Sequence, residues 1–323
     1  WDRHSCLSGQ AQPVPQQIDN GQRATDITLT LIGMGDRGLY SRILAPFLGS
    51  ALMFVAPSEE KSAAPGQLTL ERALAIYGDR RTYRDPAVFA VVGNPVAHSL
   101  SPTIHNPLFR EHGLNAVYTA AHLDQFEEIL GAKGIKGLSI TAPFKEDAFR
   151  YAQSAGAELA PNAIACGAVN TLLFDDGRIY ADNTDVDGFT EILREVCGKD
   201  RKSVAIVGAG GTARAALIAV QREQMHVTVY NRTPNKLNAR PLEELRTFDG
   251  EIIINTVTKG AEIDLPLKPG MTLIEAAYGQ RTTDNGPRTT DNGQHEGYAR
   301  YTGEDLLHAQ ARRQNELFRR IVK

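Results

Sequence analysis

Two hydroxyls, an amine, an amide and a carboxylate stand near predicted turns between residues 99 and 185. Ser99 and Ser101 lie in GNPVAHSLSPTIHN, and Lys145 comes shortly after the apolar run GLSITAP. Asn170 lies in GAVNT, and Asp185 lies in NTDVDG. Each group alone could belong to an ordinary turn, but together they would suit a small polyhydroxylated carboxylic acid. The lysine and the carboxylate could also take part in proton transfer.

Simple structural roles compete with this interpretation. Ser101 followed by Pro102 is typical of a helix N-cap and the first helical residue, which would account for Ser101 but not for Ser99. His98 and His105 are seven residues apart and have no third ligand nearby. We therefore expect no metal site there.

A glycine-rich turn follows a strand-like run in KSVAIVGAGGTARAAL. Its pattern is Gly208-x-Gly210-x-x-Ala213, which is typical of a dinucleotide-binding strand–turn–helix unit. The first glycine would allow the tight turn, the second would let the backbone approach a pyrophosphate, and the alanine would allow close packing. The positions expected to contact the cofactor here are Gly208, Ala209, Gly210, Gly211, Thr212 and Ala213.

The next strand-like run, VTVYNRTPNK, lacks the acidic residue that usually binds the ribose 2′-hydroxyl of NAD. Asn231, Arg232 and Thr233 stand there instead, with Lys236 close behind. Arg232 offers a planar cation for a 2′-phosphate, and Lys236 offers a second positive charge. The sequence therefore predicts NADP as the cofactor. The alternative is that both cations are ordinary solvated surface charges.

The elements that must position these groups alternate in type. From residue 88 onward, strand-like runs such as VFAVVGNP and SVAIVGAGG alternate with helical stretches such as KEDAFRYAQSA. This alternation predicts parallel sheets with helices on both faces. An amphipathic helix, GEDLLHAQARRQNELFRRIVK, closes the chain. We expect an α/β fold with a substrate-binding domain and a Rossmann-like NADP-binding domain.

Composition excludes several classes of function. The chain has 323 residues, 42% of them hydrophobic, and a formal net charge of −3. This charge gives no reason to expect a nucleic acid or an anionic membrane as a partner. The longest uncharged stretch, residues 43–57, is too short and too interrupted to span a bilayer. Cys6, Cys166 and Cys197 form no CxxC motif, which favours a reducing compartment, and we expect a cytoplasmic protein.

Two stretches break the alternation. Residues 1–25 are polar and rich in glutamine, and we expect a loose end there. Residues 281–293 repeat RTTDNG, and 279–297 contain no Val, Ile, Leu, Met or aromatic residue. This composition predicts a mobile loop that can bury little apolar surface.

Taken in order, these motifs resemble those of shikimate dehydrogenase. SLSP, TxPxK, GAVNT, NTD, GAGGTARA, NRT and a late QA occur between about Val88 and Lys323. The resemblance implies reversible reduction of 3-dehydroshikimate to shikimate with NADPH. It implies catalytic roles for Lys145 and Asp185. The substrate-binding positions that it implies are Ser99, Ser101, Thr141, Asn170, Tyr278 and Gln310.

Hydride transfer to a ketone requires a proton donor at the forming alkoxide, and the protein's main contribution is positioning. Lys145 could donate that proton or act through its charge, and the sequence leaves both roles open. Asp185 would orient the lysine and hold neighbouring hydroxyls.

The chain departs from the family's pattern at three places. Ser139 stands where the family most often has asparagine. Pro107 lies inside the helix predicted after SLSP and is expected to bend it. The RTTDNG repeat replaces the family's helix after Tyr278, which puts the position of that tyrosine in question.

The front segment, residues 1–87, resembles the last two strands of a type I 3-dehydroquinate dehydratase, a (β/α)8 barrel. ITLTLIGM and SALMFVAP are strand-like, with the helix-like LYSRILAPFL between them. Arg42 and Gln67 match substrate-binding positions of that family. The Schiff-base lysine is absent, since it belongs to an earlier strand and Lys61, the only lysine before residue 88, lies in a predicted loop.

These features predict a partial barrel remnant without dehydratase activity, the C-terminal portion of a bifunctional dehydratase–dehydrogenase whose dehydratase portion is missing. The predicted division is residues 1–87 for the remnant, 88–188 plus 300–323 for substrate binding, and 189–299 for NADP binding. Three alternatives stay open: an NAD-preferring quinate/shikimate dehydrogenase, a non-catalytic metabolite sensor, and a decayed fragment that folds poorly. The coexistence of Lys145 and Asp185 weighs against a sensor.

Overall fold

A computed structural model describes residues 30, 32–47, 50, 52–78, 85–131, 134–197, 202–234, 236–257, 263–277, 294–295 and 297–322. These residues fall into two compact units, one ending at Leu138 and the other running from Ser139 to Ile321. The predicted boundaries at 87/88 and 188/189 remain a prediction. The loose end at residues 1–25 and the RTTDNG repeat lie outside the described residues.

The first unit contains parallel strands and the helices between them. Its elements are α1 (Leu39–Leu44), α2 (Leu70–Tyr77), β1 (Ala87–Gly93), α3 (Ser101–Glu111), β2 (Ala116–His122) and β3 (Ile135–Ile140), with 3₁₀ turns at Asp36–Gly38, Glu59–Lys61 and Phe126–Gly131. β3 continues into the second unit. β1 and β2 pair in parallel, with Phe89 opposite Tyr118, and both side chains are fully buried. The sheet and α3 therefore share one apolar core, to which Phe109 also contributes.

α3 starts one residue before the predicted helix. Ser101 is its first residue and Leu100 its N-cap, so the prediction of Ser101 as the N-cap is wrong. The Ser99 hydroxyl instead accepts a hydrogen bond from the Ser101 N–H at 3.3 Å, which satisfies one free donor of the first turn. The helix runs on through Pro107 to Glu111.

The described part of the front segment contains helices rather than the two predicted strands. The helix-like LYSRILAPFL is confirmed over α1, but residues 32–34 and 52–55 form no strand, and Ala56 makes only an isolated bridge with Thr69. The strand predictions are wrong there because an apolar run becomes a strand only if another strand pairs with it. Leu52 and Phe54 are 63% and 60% exposed, so this run is not a buried strand.

The second unit contains most of the chain's regular structure. Its helices are α4 (Lys145–Ser154), α5 (Pro161–Cys166), α6 (Asp185–Cys197), α7 (Gly211–Arg222) and α8 (Gly303–Arg319), with a 3₁₀ helix at Leu242–Thr247. The strands of its first sheet are β4 (Glu158–Leu159), β5 (Thr171–Asp175) and β6 (Arg178–Asp182). The strands of its second sheet are β7 (Ser203–Val207), β8 (His226–Asn231), β9 (Arg240–Pro241), β10 (Ile252–Asn255), β11 (Thr272–Glu275), β12 (Gln294–His295) and β13 (Tyr298–Tyr301).

The second sheet has the order β12-β13-β11-β10-β7-β8-β9, and its strands are parallel except β12. One face packs on α6, α7 and α8 through buried residues such as Phe189, Ala216 and Leu306. The other face is covered by the 3₁₀ helix and nearby loops, around Leu245 and Phe248. These features confirm the predicted α/β fold with a Rossmann-like part.

The first sheet is mixed, which differs from the predicted parallel arrangement. β5 and β6 pair antiparallel, with Asp175 opposite Arg178 and only Asp176 and Gly177 between them. Both turn residues have positive φ, as a tight hairpin of this length requires. The DDG string therefore makes a hairpin, which alternation alone did not reveal. In the part of the chain that the structure describes, no helix is both long and apolar enough to cross a bilayer.

Candidate active site

Lys145 and Asp185 form an ion pair inside the second unit. Each is the first residue of its helix, α4 and α6 respectively. The Lys145 Nζ donates to the Asp185 Oδ2 at 2.6 Å, and the two side chains are 17% and 10% exposed. Two residues that are 40 positions apart in sequence thus present a partly buried acid–base pair.

Asn170 orients the aspartate of this pair. Its Nδ2 donates to the Asp185 Oδ1 at 2.9 Å, so each carboxylate oxygen accepts a hydrogen bond. The backbone fixes Asn170 on both sides, because its carbonyl accepts from the Ile140 N–H and its own N–H donates to the Asp182 carbonyl. The neighbouring Val169 N–H donates to the Lys145 carbonyl at 2.8 Å. The GAVNT segment therefore positions both members of the ion pair.

A second group of amides and hydroxyls supports Asn170 from α8. The Thr184 hydroxyl lies 2.9 Å from the Gln310 Oε1, and the Thr184 N–H donates to the Asn170 Oδ1 at 2.9 Å. One helical turn after Gln310, the Gln314 Oε1 accepts from the Ser139 hydroxyl at 2.6 Å. These five residues are all less than a tenth exposed. Hydrogen bonds buried in this way hold a polar cluster in one arrangement.

The Gln314 amide completes this network. Its Nε2 donates to the Thr171 hydroxyl at 2.7 Å and to the Asn170 carbonyl at 3.3 Å. Ser139, the departure from the family's usual asparagine, thus has a buried partner in α8.

The glycine-rich turn, at the start of α7, lies close to Lys145 of this ion pair. Gly208 has φ +112°, and a Cβ there would lie 2.4 Å from the Thr256 Oγ1, so only glycine fits. A Cβ on Gly210 would meet nothing within 4 Å, which leaves open space at the helix N-terminus. A Cβ on Gly211 would lie 3.9 Å from the Lys145 Cβ. A ligand over this turn would therefore lie close to Lys145.

The predicted alanine of this motif is packed as expected, since Ala213 is fully buried in the core under the sheet. No side chain caps the start of α7 in the described structure, and its first turn carries no acidic residue. An uncapped helix N-terminus favours phosphate groups through its free N–H groups and its dipole. This end of the unit fits a dinucleotide.

Arg214 connects the first turn of α7 to the helix of Lys145. Its Nη2 donates to the Glu146 Oε1 at 2.6 Å, and this hydrogen bond lowers the pKa of the Glu146 carboxyl. Because Glu146 follows Lys145 directly, the pair joins the glycine-rich turn to the lysine-bearing helix.

The residues predicted to bind the 2′-phosphate of NADP lie at the end of β8 and just after it. The Asn231 Nδ2 donates to the Thr233 carbonyl at 3.0 Å, and Arg232, Thr233 and Lys236 are exposed. In the described part of the chain, neither Arg232 nor Lys236 takes part in an ion pair. Both cations are thus available to an anionic ligand.

The other predicted substrate positions are Ser99, Ser101, Thr141 and Tyr278. Ser99 and Ser101 belong to the first unit, where both are buried and their hydroxyls lie 3.2 Å apart. Thr141 is half-buried directly after β3 and four positions before Lys145. Tyr278 lies outside the described residues.

Burial determines the chemistry of two other groups here. Burial first, and then the negative charge of Asp185, raises the pKa of the Cys166 thiol to about 12. Cys166 is therefore a neutral thiol at pH 7, and its side chain is fully buried next to the GAVNT segment. Burial also raises the pKa of the Asp182 carboxyl, against hydrogen bonds from the Asn183 N–H and the Tyr180 hydroxyl.

Sequence reasoning missed Thr184 and Gln314. Thr184 lies inside the NTD motif, and Gln314 lies four residues after Gln310, the spacing that puts two side chains on one helix face. That spacing is a signal that could have identified Gln314. The described residues contain no cluster of His, Cys, Asp or Glu that could hold a metal ion.

Three comparisons with known proteins identify the same family. The family model of the shikimate dehydrogenase substrate binding domain matches residues 91–172. Shikimate 5-dehydrogenase from Thermus thermophilus, solved with NADP(H) and shikimate, has a TM-score of 0.59 and 26% identity over 73% of this chain and 94% of its own. Shikimate dehydrogenase (NADP(+)) from Methanothermobacter thermautotrophicus is 34% identical over 223 residues, covering 65% of this chain and 75% of that protein. The chain belongs to the shikimate dehydrogenase family.

The front segment of this shikimate dehydrogenase family member matches a second family. The type I 3-dehydroquinase model matches residues 16–83. The bifunctional 3-dehydroquinate dehydratase/shikimate dehydrogenase of Arabidopsis thaliana is 29% identical over 324 residues, covering 88% of this chain and 52% of that protein. The chain spans about half the length of the first curated relatives that it matches. Both resemblances inferred from the motifs are thereby confirmed.

Proposed function

We propose that this chain is an NADP-dependent shikimate dehydrogenase that reversibly reduces 3-dehydroshikimate to shikimate in aromatic amino acid biosynthesis. The observation that carries the proposal is the Lys145–Asp185 ion pair held by Asn170 beside the glycine-rich turn. Family membership and the NADP(H)–shikimate complex of the Thermus thermophilus relative support it.

In this proposal, Lys145 interacts with the carbonyl oxygen of the substrate, which becomes an alkoxide when the hydride is transferred. NADPH supplies the hydride, and the protein positions the ketone and stabilises the forming alkoxide. Lys145 donates a proton or a hydrogen bond to that oxygen, and Asp185 holds the ammonium group in place. Asn170 and Gln310 position the substrate hydroxyls around the pair. Ser99 and Ser101 bind the carboxylate of the substrate, and Thr141 and Tyr278 complete the substrate contacts.

The cofactor preference follows from charge at the end of β8. A 2′-phosphate carries negative charge and needs cations, which Arg232 and Lys236 supply from exposed positions. The α7 N-terminus with Gly208, Ala209, Gly210, Gly211, Thr212 and Ala213 holds the pyrophosphate. NAD has no group for these cations, so we propose NADP over NAD.

An absorbance assay at about 340 nm tests the proposal, since reduction of the nicotinamide ring by hydride transfer is what it reports. Shikimate is supplied with NADP in one reaction and with NAD in another, and quinate replaces shikimate in a third. Fast reduction of NADP with shikimate is expected. Fast reduction of NAD alone would favour an NAD-preferring quinate/shikimate dehydrogenase. No turnover with calorimetric binding of shikimate would favour a sensor, and neither turnover nor binding would favour a decayed fragment.

Two further parts of the proposal concern the front segment and the location. The segment has no candidate Schiff-base lysine, so we propose that the chain does not dehydrate dehydroquinate; formation of the enone product by purified chain would contradict this. We propose that a dehydratase portion accompanies the dehydrogenase in the complete protein, as the bifunctional relatives suggest. The described cysteines, Cys166 and Cys197, are buried thiols that form no disulfide among the described residues, and we propose a cytoplasmic location.

A further inference from the structure

The dehydratase-like segment and the predicted substrate loop meet inside the first unit. α2 belongs to the stretch that matches the type I 3-dehydroquinase model, whereas the loop at residues 96–99 belongs to the stretch that matches the shikimate dehydrogenase model. α2 packs on α3, the helix that begins at Ser101. A helix of one family's segment therefore lies against the serine loop of the other.

Arg72 makes the polar contacts from α2 to this loop. Its Nη2 donates to the Ser99 carbonyl at 3.1 Å, and both terminal nitrogens lie 3.5 Å from the Ala97 carbonyl. The loop itself is a turn in which the Ser99 N–H donates to the Val96 carbonyl at 2.9 Å. With its carbonyl and its N–H both engaged, Ser99 has a fixed backbone, and its hydroxyl is held 3.2 Å from that of Ser101.

Among the described residues, no carboxylate contacts the charge of Arg72. In this part of the chain its Nε is also buried without a hydrogen-bond partner. Burial lowers the pKa of the guanidinium, and the more distant charge of Glu59 only partly opposes this effect. Arg72 as a whole is half-buried, and a cation that is partly removed from water is usually paired, since its burial otherwise costs free energy. An anion bound at the Ser99 and Ser101 hydroxyls would supply the missing negative charge.

We infer that Arg72 is a positioning residue for the substrate carboxylate, contributed to the shikimate site by the dehydratase-like segment. It fixes the Ser99 loop through two carbonyl oxygens and places a positive charge at the backbone of the loop that carries the Ser99 hydroxyl. The segment thus has a role in the dehydrogenase reaction, whether or not it takes part in dehydration. This inference rests on the proposed function, because it takes Ser99 and Ser101 as carboxylate ligands.

Arg110 provides a matched control from the same helix pair. Its guanidinium donates to the carbonyls of Ala75 and Ile76 at the end of α2, so it too joins α2 to α3 by two carbonyl contacts. It lies nine positions after Ser101, about 14 Å along α3 at 1.5 Å per residue. Arg110→Gln removes the same charge and the same kind of contact as Arg72→Gln, but far from the serine loop.

The experiment measures dissociation constants by calorimetry for shikimate and for its uncharged methyl ester, with the whole chain. Arg72→Gln is expected to weaken shikimate binding about tenfold, to weaken methyl ester binding much less, and to leave the KM for NADP unchanged. Arg72→Lys keeps the charge and should recover most of the loss. Arg110→Gln should lower the melting temperature at least as much as Arg72→Gln while shikimate binding stays within about twofold of the unaltered chain.

Several results would overturn the inference. Equal weakening of acid and ester by Arg72→Gln would show a merely structural role, and so would a tenfold loss of shikimate binding in Arg110→Gln. Wild-type affinity in Arg72→Gln would overturn the inference while the proposed function stands. If Arg72→Gln does not fold, the Arg72→Lys variant tests the inference instead. Arg72→Lys keeps the positive charge, so loss of binding of both shikimate and its methyl ester in Arg72→Lys would contradict a role for the charge. An unaltered chain that binds neither ligand would overturn the proposed function together with the inference.

Discussion

The second unit carries two polar regions of opposite character. The cluster around Asn170 is buried, and its donors and acceptors are matched to one another through Asp185, Thr184 and α8. The basic residues after β8 are exposed, and in the described chain Arg232 and Lys236 form no ion pair. The first region is preorganised by the protein, whereas the second depends on its ligand for counter-charge. A reacting centre needs fixed geometry, while a phosphate-binding surface needs available charge.

The same difference predicts how substitutions act in the two regions. Breaking a buried hydrogen-bond network leaves polar atoms without partners and lowers stability. Removing an exposed cation changes stability little and affects mainly the ligand that the cation binds. Each prediction below tests one side of this contrast.

The largest effect is expected at Lys145. Lys145→Ala removes the group that donates a proton or a hydrogen bond to the forming alkoxide. Turnover should therefore fall about 10²- to 10⁴-fold while shikimate still binds. Initial rates at saturating substrate and calorimetric binding measure the two quantities. Lys268→Ala, an exposed lysine of the same unit, serves as the control and should keep full turnover. Unchanged turnover in Lys145→Ala would remove this residue from the mechanism.

The next effect concerns stability at Gln314. Gln314→Leu leaves the Ser139 and Thr171 hydroxyls and the Asn170 carbonyl without this partner, so the free energy of unfolding should fall by about 2–3 kcal/mol. Urea unfolding followed by circular dichroism measures it. Gln221→Leu, at an exposed position of α7, should change it by less than about 0.5 kcal/mol. Equal effects of the two variants would contradict the description of the α8 contacts as a buried network.

A smaller and more selective effect is expected at Arg232. A charge-assisted hydrogen bond contributes about 1.5–3 kcal/mol, so Arg232→Gln should lower kcat/KM for NADP about tenfold to a hundredfold. The value for NAD should stay the same, and so should the unfolding midpoint. Arg246→Gln, an exposed arginine elsewhere in the unit, is the matched control. A parallel loss with both cofactors would show that Arg232 does not recognise the 2′-phosphate.

The smallest effect is a pH dependence from Asp182. Because burial raises the pKa of this carboxyl above its ordinary 3.8, the folded state binds the proton more tightly than the unfolded state. The contribution of Asp182 to stability is therefore present below pH 3.8 and is lost as pH rises through the raised folded pKa. Asp182→Asn should remove this part of the pH dependence, as urea unfolding across this range can measure. If the free energy of unfolding depended on pH identically in Asp182→Asn and in the unaltered chain, this role of Asp182 would be contradicted.

Motifs with a backbone requirement were predictable from sequence to the residue. The glycine-rich turn was one, since Gly208 stands at a positive φ with no room for a side chain. The helices α4, α7 and α8 were also predictable, because their apolar periodicity reports a buried face. The front segment was not, since an apolar run such as SALMFVAP becomes a strand only where another strand pairs with it.

The amino-acid sequence by itself determined the family, the order of the motifs, the α/β class and the chemical types available for binding and reduction. Local preferences and residue identity carry these features, so they need no knowledge of distant contacts. Only the tertiary structure decided that Lys145 and Asp185, whose pairing the resemblance had implied, meet at 2.6 Å, and that Gln314 holds Ser139, 175 positions away in sequence. It also decided that Arg72 of the dehydratase-like segment supports the Ser99 loop. Such contacts depend on how the elements pack, because hydrogen bonds form between groups that folding brings together, whatever their separation along the chain.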